Sequence, residues 1–190
     1  LGVEVIDLGI ARDVREQIEA ALRRGAAEAD VVLTSGGVSV GDFDLVKDVI
    51  NELGAIDFWK VRMKPGKPQA HGRLGKAEFF GLPGNPVSVM ATYLLLVRPA
   101  LLKMMGADPG PQKEMRLPYR GAQICKSHDR AEFARGRVHF AGADTHVTST
   151  GAQGSGILSS MAAANCFIML GEAPVEVREG DLVTVIPIEY

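Results

Sequence analysis

Three observations predict an α/β fold with a mostly parallel sheet and flanking helices over residues 1–107, followed by a small antiparallel β domain over 108–190. Short apolar runs alternate with helical patterns in the first part, residues 106–112 break every pattern with Gly and Pro, and only short β-type runs dominate beyond them. With 46% hydrophobic and 23% charged residues in 190, the chain can bury an ordinary core in one or two domains.

Taken in order, residues 3–9 read as a strand, and Asp13 with Glu16 forms a capping-box pattern ahead of Val14, Ile18, Ala21 and Leu22 on one helical face. Residues 29–34 are a continuous apolar strand of the type buried on both faces. A helix with Leu45, Val49 and Leu53 aligned follows, and Gly54 ends it. Residues 56–63 and 77–82 read as strands. The helix predicted over 86–105 carries Pro86 in its first turn, where proline is tolerated, while Pro99 should kink it or split off its last turns. Beyond the break, 114–125, 131–140, 145–150, 166–170 and 182–188 are β-type runs, with one helix expected inside 155–164.

The net charge of -2 argues against a general nucleic-acid or membrane surface, yet the cations are unevenly spread. Lys60, Arg62, Lys64, Lys67, Arg73 and Lys76 follow one another with no Asp or Glu among them. Such a bias often marks only a solvated face, but Lys64 and Lys67 flank a Pro-Gly turn between strand candidates, which fixes their placement. Cys125 and Cys166 lack C-x-x-C spacing, so neither a zinc site nor a disulfide framework is suggested and a reducing, cytoplasmic setting fits. The four histidines show no ligand spacing and read as surface or turn residues. No apolar run is expected to reach the roughly 20 residues that span a bilayer. The chain opens at Leu1 without Met, as a fragment would.

Three turn-rich loops carry the chemistry: Thr34-Ser-Gly-Gly-Val-Ser-Val-Gly-Asp-Phe-Asp44, Met63-Lys-Pro-Gly-Lys-Pro68 and Gly81-Leu-Pro-Gly-Asn-Pro-Val-Ser88. Loops at the carboxyl ends of strands gather on one side of an α/β sheet, where free backbone N–H groups and helix amino termini favour anions. Gly36 and Gly37 permit positive φ and close backbone approach, while Ser35 and Ser39 supply hydroxyls and Gly41 adds a third glycine to the loop. Taken alone, a Gly-Gly pair serves as readily as a tight strand-to-helix connection. The loop matches neither G-x-x-x-x-G-K-[ST] nor G-x-G-x-x-G.

Asp42 and Asp44 stand where the next helix begins. Both could act simply as N-cap and first-turn acid; the preferred division makes Asp42 the cap and Asp44 a hard-oxygen ligand for Mg²⁺ beside bound phosphate. Lys64 and Lys67 are countercharges for phosphate or another tetrahedral oxyanion, on a mounting stiffened by Pro65 and Pro68. In the third loop, Pro83, Gly84 and Asn85 lead to Pro86 at a helix start, where Val87 and Ser88 present N–H groups and the Ser88 hydroxyl. A rigid turn would explain the prolines equally well, but not three such loops on one sheet.

Together these segments resemble the MoeA family, also seen in the E domain of gephyrin, and Phe133-Ala-Arg-Gly136 and Gly151-Ala-Gln-Gly-Ser-Gly156 extend the likeness into the β region. The resemblance implies a molybdopterin-binding fold and a molybdopterin molybdenumtransferase: molybdate reacts with adenylylated molybdopterin, AMP is released, and a divalent metal such as Mg²⁺ is required. It implies Asp44, Lys64, Asp13 and Lys60 as catalytic polar residues, with Asp44 at the metal. It places Lys67, Pro68, Ser88, Arg135 and Ser155 around molybdate and the reacting end of the pterin. A homodimer is implied, possible association with the adenylyltransferase that supplies substrate, and upstream domains that this carboxyl-terminal portion lacks. Two rivals remain. One is molybdopterin adenylyltransferase, which typically shows a Thr-Thr-Gly-Gly-Thr-Gly loop that Ser39 and Asp44 do not match; the other is a non-catalytic scaffold of gephyrin type.

Overall fold

Apolar alternation, not apolar continuity, governs the first sheet. A computed structural model describes residues 1–38 and 45–188 and divides them into two compact units, Leu1–Val61 with Gly66–Asn85, and Arg62–Pro65 with Pro86–Tyr190.

In the first unit, α1 (Arg15–Glu28), β1 (Val31–Ser35), α2 (Leu45–Leu53) and β2 (Ala55–Lys60) alternate as expected. The chain then adds β4 (Pro68–Leu74) and β5 (Ala77–Leu82) to a four-stranded sheet ordered β1-β5-β4-β2. Only β1 and β5 are parallel; β4 runs antiparallel to both its neighbours. The mostly parallel expectation is thus corrected to a mixed sheet, because residues 68–74 form a strand that their own pattern does not signal. Their pattern, Pro-Gln-Ala-His-Gly-Arg-Leu, is largely polar, and strand pairing there rests on a two-residue hairpin turn at Gly75-Lys76. Glycine at the first turn position, here at φ 60°, suits a turn that matches strand twist.

Ile18 and Leu22 of α1, Val49 and Ile50 of α2, and Val32, Ala70, Leu74 and Phe79 of the sheet form one core. Val32 is buried, whereas its neighbour Leu33 is 44% exposed, so β1 is not covered on both faces as its continuous apolar run suggested. Residues 3–9 form no strand; most are exposed and no ladder partner is paired with them among the described residues. The expected capping box is also absent: α1 starts at Arg15, its N-cap is Val14, and no side chain caps it. At the other end of α2, Gly54 bonds back to Ile50 O at 3.1 Å and β2 begins at once.

The second unit takes β3 (Met63–Lys64) from within the cationic run and pairs it in parallel with β8 (Ala131–His139). With β6 (Met115–Pro118), β10 (Cys166–Leu170) and β12 (Leu182–Pro187) they make the path β3-β8-β10-β12-β6, and β9 (His146–Ser149) pairs with β8. A separate ribbon joins β7 (Ile124–Lys126) to β11 (Val175–Val177). Apart from β3, the strands named here pair antiparallel, with one isolated parallel bridge between Tyr119 and Val147, and Tyr119, Ala134, Val138, Val147, Ile168 and Val185 are among the residues of its core. The expected helix inside 155–164 is α5 (Leu158–Ala162).

The long helix over 86–104 also belongs to this unit, as α3 (Pro86–Thr92), a π-helical segment Tyr93–Val97, and α4 (Arg98–Met104). Pro99 has no N–H to donate to the preceding turn, and the helix answers by widening: Arg98 N–H reaches back to Tyr93 O. This stretch corrects only the expectation that no apolar run nears 20 residues, since its 19 residues are long and apolar enough to cross a bilayer by length and composition. A core helix passes the same test.

Candidate functional site

Register across the first sheet collects the loop residues at one end. Thr34 pairs with Gly81, Gly81 with Ala70, and Ala70 with Phe58. Two residues further along each strand in the same direction lie Gly36, Pro83, Pro68 and Lys60, with Pro68 paired to Lys60 in the ladder. The loops after β1 and β5 and the bend between β2 and β4 therefore leave from the same edge, although β4 runs the opposite way.

Contact between these loops is direct. Gly36 N–H donates to Leu82 O at 3.0 Å, and a Cβ on Gly84 would lie 3.6 Å from Gly36 Cα. Gly36 and Gly37 have φ of 92° and 71°, and a Cβ on Gly37 would sit 2.5 Å from Val46 Cβ. Only glycine fits there without strain and a clash. Close beside them, Thr34 Oγ1 is buried with no hydrogen-bond partner among the described residues. Ser35 is exposed at the end of β1. Val61 N–H bonds Lys67 O at 2.9 Å, so the bend returns tightly into β4, and Lys60 and Lys67 both stand exposed at its base. Neither ammonium has a hydrogen bond or ion pair among the described residues. Asp13 is exposed just before α1, whose Arg15 pairs with Glu52 in the last turn of α2; no bond joins Asp13 to the loops among the described residues. Ser39, Gly41, Asp42 and Asp44 lie outside the described residues. Pro83, Gly84 and Asn85 belong to this unit, while Pro86 and Ser88 open α3 in the other, where Ser88 is buried.

In the second unit the expected ligand cations are already engaged. Lys64 Nζ lies 3.2 Å from Glu132 Oε1, and the other Glu132 oxygen is 2.8 Å from His128 Nε2. Lys126, buried, donates from Nζ to His128 O, Glu172 O and Ala173 O at 2.6, 2.8 and 2.8 Å. Three carbonyls solvate a buried ammonium in place of water.

Arg135 is only 1% exposed. Its Nε donates to Ser160 Oγ at 3.0 Å, Nη1 to Gln153 O at 3.1 Å, and Nη2 to Gly154 O at 2.9 Å. In return, Gln153 Oε1 accepts Arg135 N–H at 2.7 Å and Gln153 Nε2 donates to Arg135 O at 3.1 Å. The guanidinium thus clamps the glycine-rich 151–156 loop to β8, and exposed Ser155 follows directly after the clamped Gly154. Burial lowers the guanidinium pKa, with Glu132 opposing that shift.

Sequence reasoning missed Glu132, Lys126, His128 and Gln153. A signal for Glu132 was present: it shares the inward phase of Ala134 and Val138 along β8, where a charge must find a partner. Nothing local flags Lys126 or Gln153, whose partners lie up to 47 residues away.

Known proteins share similarity with this chain along most of its length. The family described as "Probable molybdopterin binding domain" matches residues 1–103, and "MoeA C-terminal region (domain IV)" matches 121–188. A molybdopterin molybdenumtransferase of Haemophilus influenzae is 40% identical over all of this chain and 47% of its own length. Gephyrin of Dictyostelium discoideum is 31% identical over 94% of the chain and 28% of its own length. Among solved structures, a molybdopterin biosynthesis moea protein from Pyrococcus horikosii superposes with a TM-score of 0.77 at 29% identity, covering 96% of this chain and 43% of that one. The chain spans half the length or less of these relatives. With the first family spanning more than half of it and the second most of the remainder, the chain belongs to the MoeA family.

Proposed function

We propose that the chain is the carboxyl-terminal portion of a molybdopterin molybdenumtransferase, which inserts molybdenum from molybdate into adenylylated molybdopterin and releases AMP. The observation that carries this reading is the convergence of Ser35-Gly36-Gly37, Lys60, Pro68 and Pro83-Gly84-Asn85 at one sheet end. Backbone N–H groups of the glycine loops suit a phosphate, and the exposed ammonium groups of Lys60 and Lys67 suit an incoming oxyanion. Lys64 and Ser88 belong to the second unit, and their reading as ligands rests on the family resemblance. There Arg135 acts by holding the 151–156 loop so that Ser155 is presented. Positioning and charge neutralisation carry the reaction without a covalent nucleophile.

Among the described residues no group of three or more His, Cys, Asp or Glu is assembled to hold a metal. Mg²⁺ commonly takes one carboxylate with phosphate and water oxygens, so Asp44 with substrate phosphate fits its chemistry. The ion would polarise the departing phosphate. We further propose a cytoplasmic homodimer that receives its substrate from the adenylyltransferase, and functional domains divided near residue 107.

The test is molybdate- and metal-dependent AMP release from adenylylated molybdopterin, using the longer protein that contains this chain. Asp44→Ala should abolish release while the protein remains folded. Wild-type release in that variant would remove Asp44 from the metal site, and no release from the unmutated protein would favour a scaffold.

A further inference from the structure

The proposed oxyanion ligand Lys64 sits on a two-residue strand whose position is dictated from the β8 side. Met63 pairs with Ala131 and Lys64 with Glu132, and Ala131 N–H donates to Arg62 O at 3.0 Å. Side chains of paired residues in such a ladder lie on the same face. Glu132, 6% exposed, is therefore built directly beside the Lys64 side chain, and their 3.2 Å contact follows from that register. The carboxylate is itself fixed by His128, and Lys126 anchors the residues around His128 through its three carbonyl bonds. Arg62 closes the other side by donating to Asp129 O at 2.8 Å and pairing with Glu172 at 3.2 Å.

We infer that Glu132 is a positioning residue for the reaction: its ion pair holds the Lys64 ammonium at a fixed point, from which N–H donors meet an incoming oxyanion. This rests on the reading of Lys64 as an oxyanion ligand. An ammonium has three donors, more than a single carboxylate contact uses. A long, flexible lysine stem otherwise loses rotamer freedom each time it meets its ligand, and a buried carboxylate meets that cost during folding. Simple electrostatics argues the opposite sign, since a neighbouring negative charge should repel molybdate. The two accounts therefore predict opposite effects for one isosteric change.

Glu132→Gln keeps the side-chain shape and removes the charge. In the AMP-release assay its KM for molybdate should rise about five- to tenfold with kcat little changed, and tungstate, titrated in calorimetry without adenylylated molybdopterin so that no reaction follows binding, should bind correspondingly more weakly. A merely structural defect would instead reduce the active fraction, lowering apparent kcat and leaving KM alone. In a Lys64→Ala background the Glu132 substitution should add nothing, because residues acting through one another are not additive. A folded Glu132→Gln with unchanged or lower KM, or with an equal effect in both backgrounds, overturns the assignment. If Lys64→Ala itself leaves KM and tungstate binding unchanged, the oxyanion-ligand reading fails and the Glu132 assignment fails with it. Should Glu132→Gln not fold, Glu132→Asp carries the test in both backgrounds: it retains the charge but withdraws it by one methylene, so KM should rise by a smaller factor that again depends on Lys64.

Discussion

Cations of the candidate loops differ in their partners between the two units. In the first, Lys60 and Lys67 are exposed at the sheet end without an ion pair among the described residues. In the second, Lys64, Lys126 and Arg135 are each tied to protein oxygens. Lys64 and Lys67 stand three residues apart in one motif yet fall in different units. Motif membership therefore does not assign a role; the neighbours that the fold supplies do. A cation with no protein partner is available to a ligand, whereas a fully engaged one shapes the loop that presents other groups.

The largest effect should come from breaking the most engaged cation. Arg135→Met leaves the Gln153 and Gly154 carbonyls and the Ser160 hydroxyl without their buried donor, frees the 151–156 loop, and should destabilise the second unit by about 3 kcal/mol in urea unfolding. If that variant were as stable as the parent and only inactive, Arg135 would be a ligand and the contrast would collapse. Gly37→Ala probes the first unit's backbone cradle. A side chain at positive φ that also meets Val46 should cost about 2–3 kcal/mol. Wild-type stability there would show that the loop can move aside.

Lys67→Ala addresses the uncommitted class and should change unfolding free energy by no more than about 0.5 kcal/mol. Its kcat/KM for molybdate should nevertheless fall about tenfold. Loss of stability without loss of activity would make Lys67 a structural cation like Arg135. The smallest effect belongs to a surface pair in the second unit. Hydrogen bonding and charge from Arg120 hold the Asp144 carboxyl below its ordinary pKa. A carboxyl lowered by folding contributes stability above its unfolded pKa of about 3.9 and loses it as pH falls through the folded value. Asp144→Asn should shift the urea midpoint slightly at pH 7, and the shift should shrink toward pH 3. A shift that persisted in acid would trace to packing instead of charge.

Much of the fold was legible because its signals are local. Gly54 after α2, Pro86 at a helix start, the break after Met104 and most of the β runs of the second unit can each be read from a few neighbouring residues. The first strand expected at 3–9 failed because a strand needs a ladder partner as well as a pattern. β4 was missed for the converse reason: its polar sequence is carried by neighbours on both sides. Pro99 fell between the two cases, since its missing N–H was legible but the π-helical adjustment was a choice of the whole helix.

By itself, the sequence singled out three loops as the candidate site, because glycine, proline and lysine impose backbone freedom, rigidity and charge wherever they stand. It also placed Lys64 and Lys67 on a stiff turn. Only the tertiary structure decided that Lys64 faces Glu132, that Arg135 holds a loop, and that an antiparallel β4 brings Pro68 level with Gly36. Register sets those partnerships, and register is fixed by pairings between segments far apart in the chain, which no local pattern specifies.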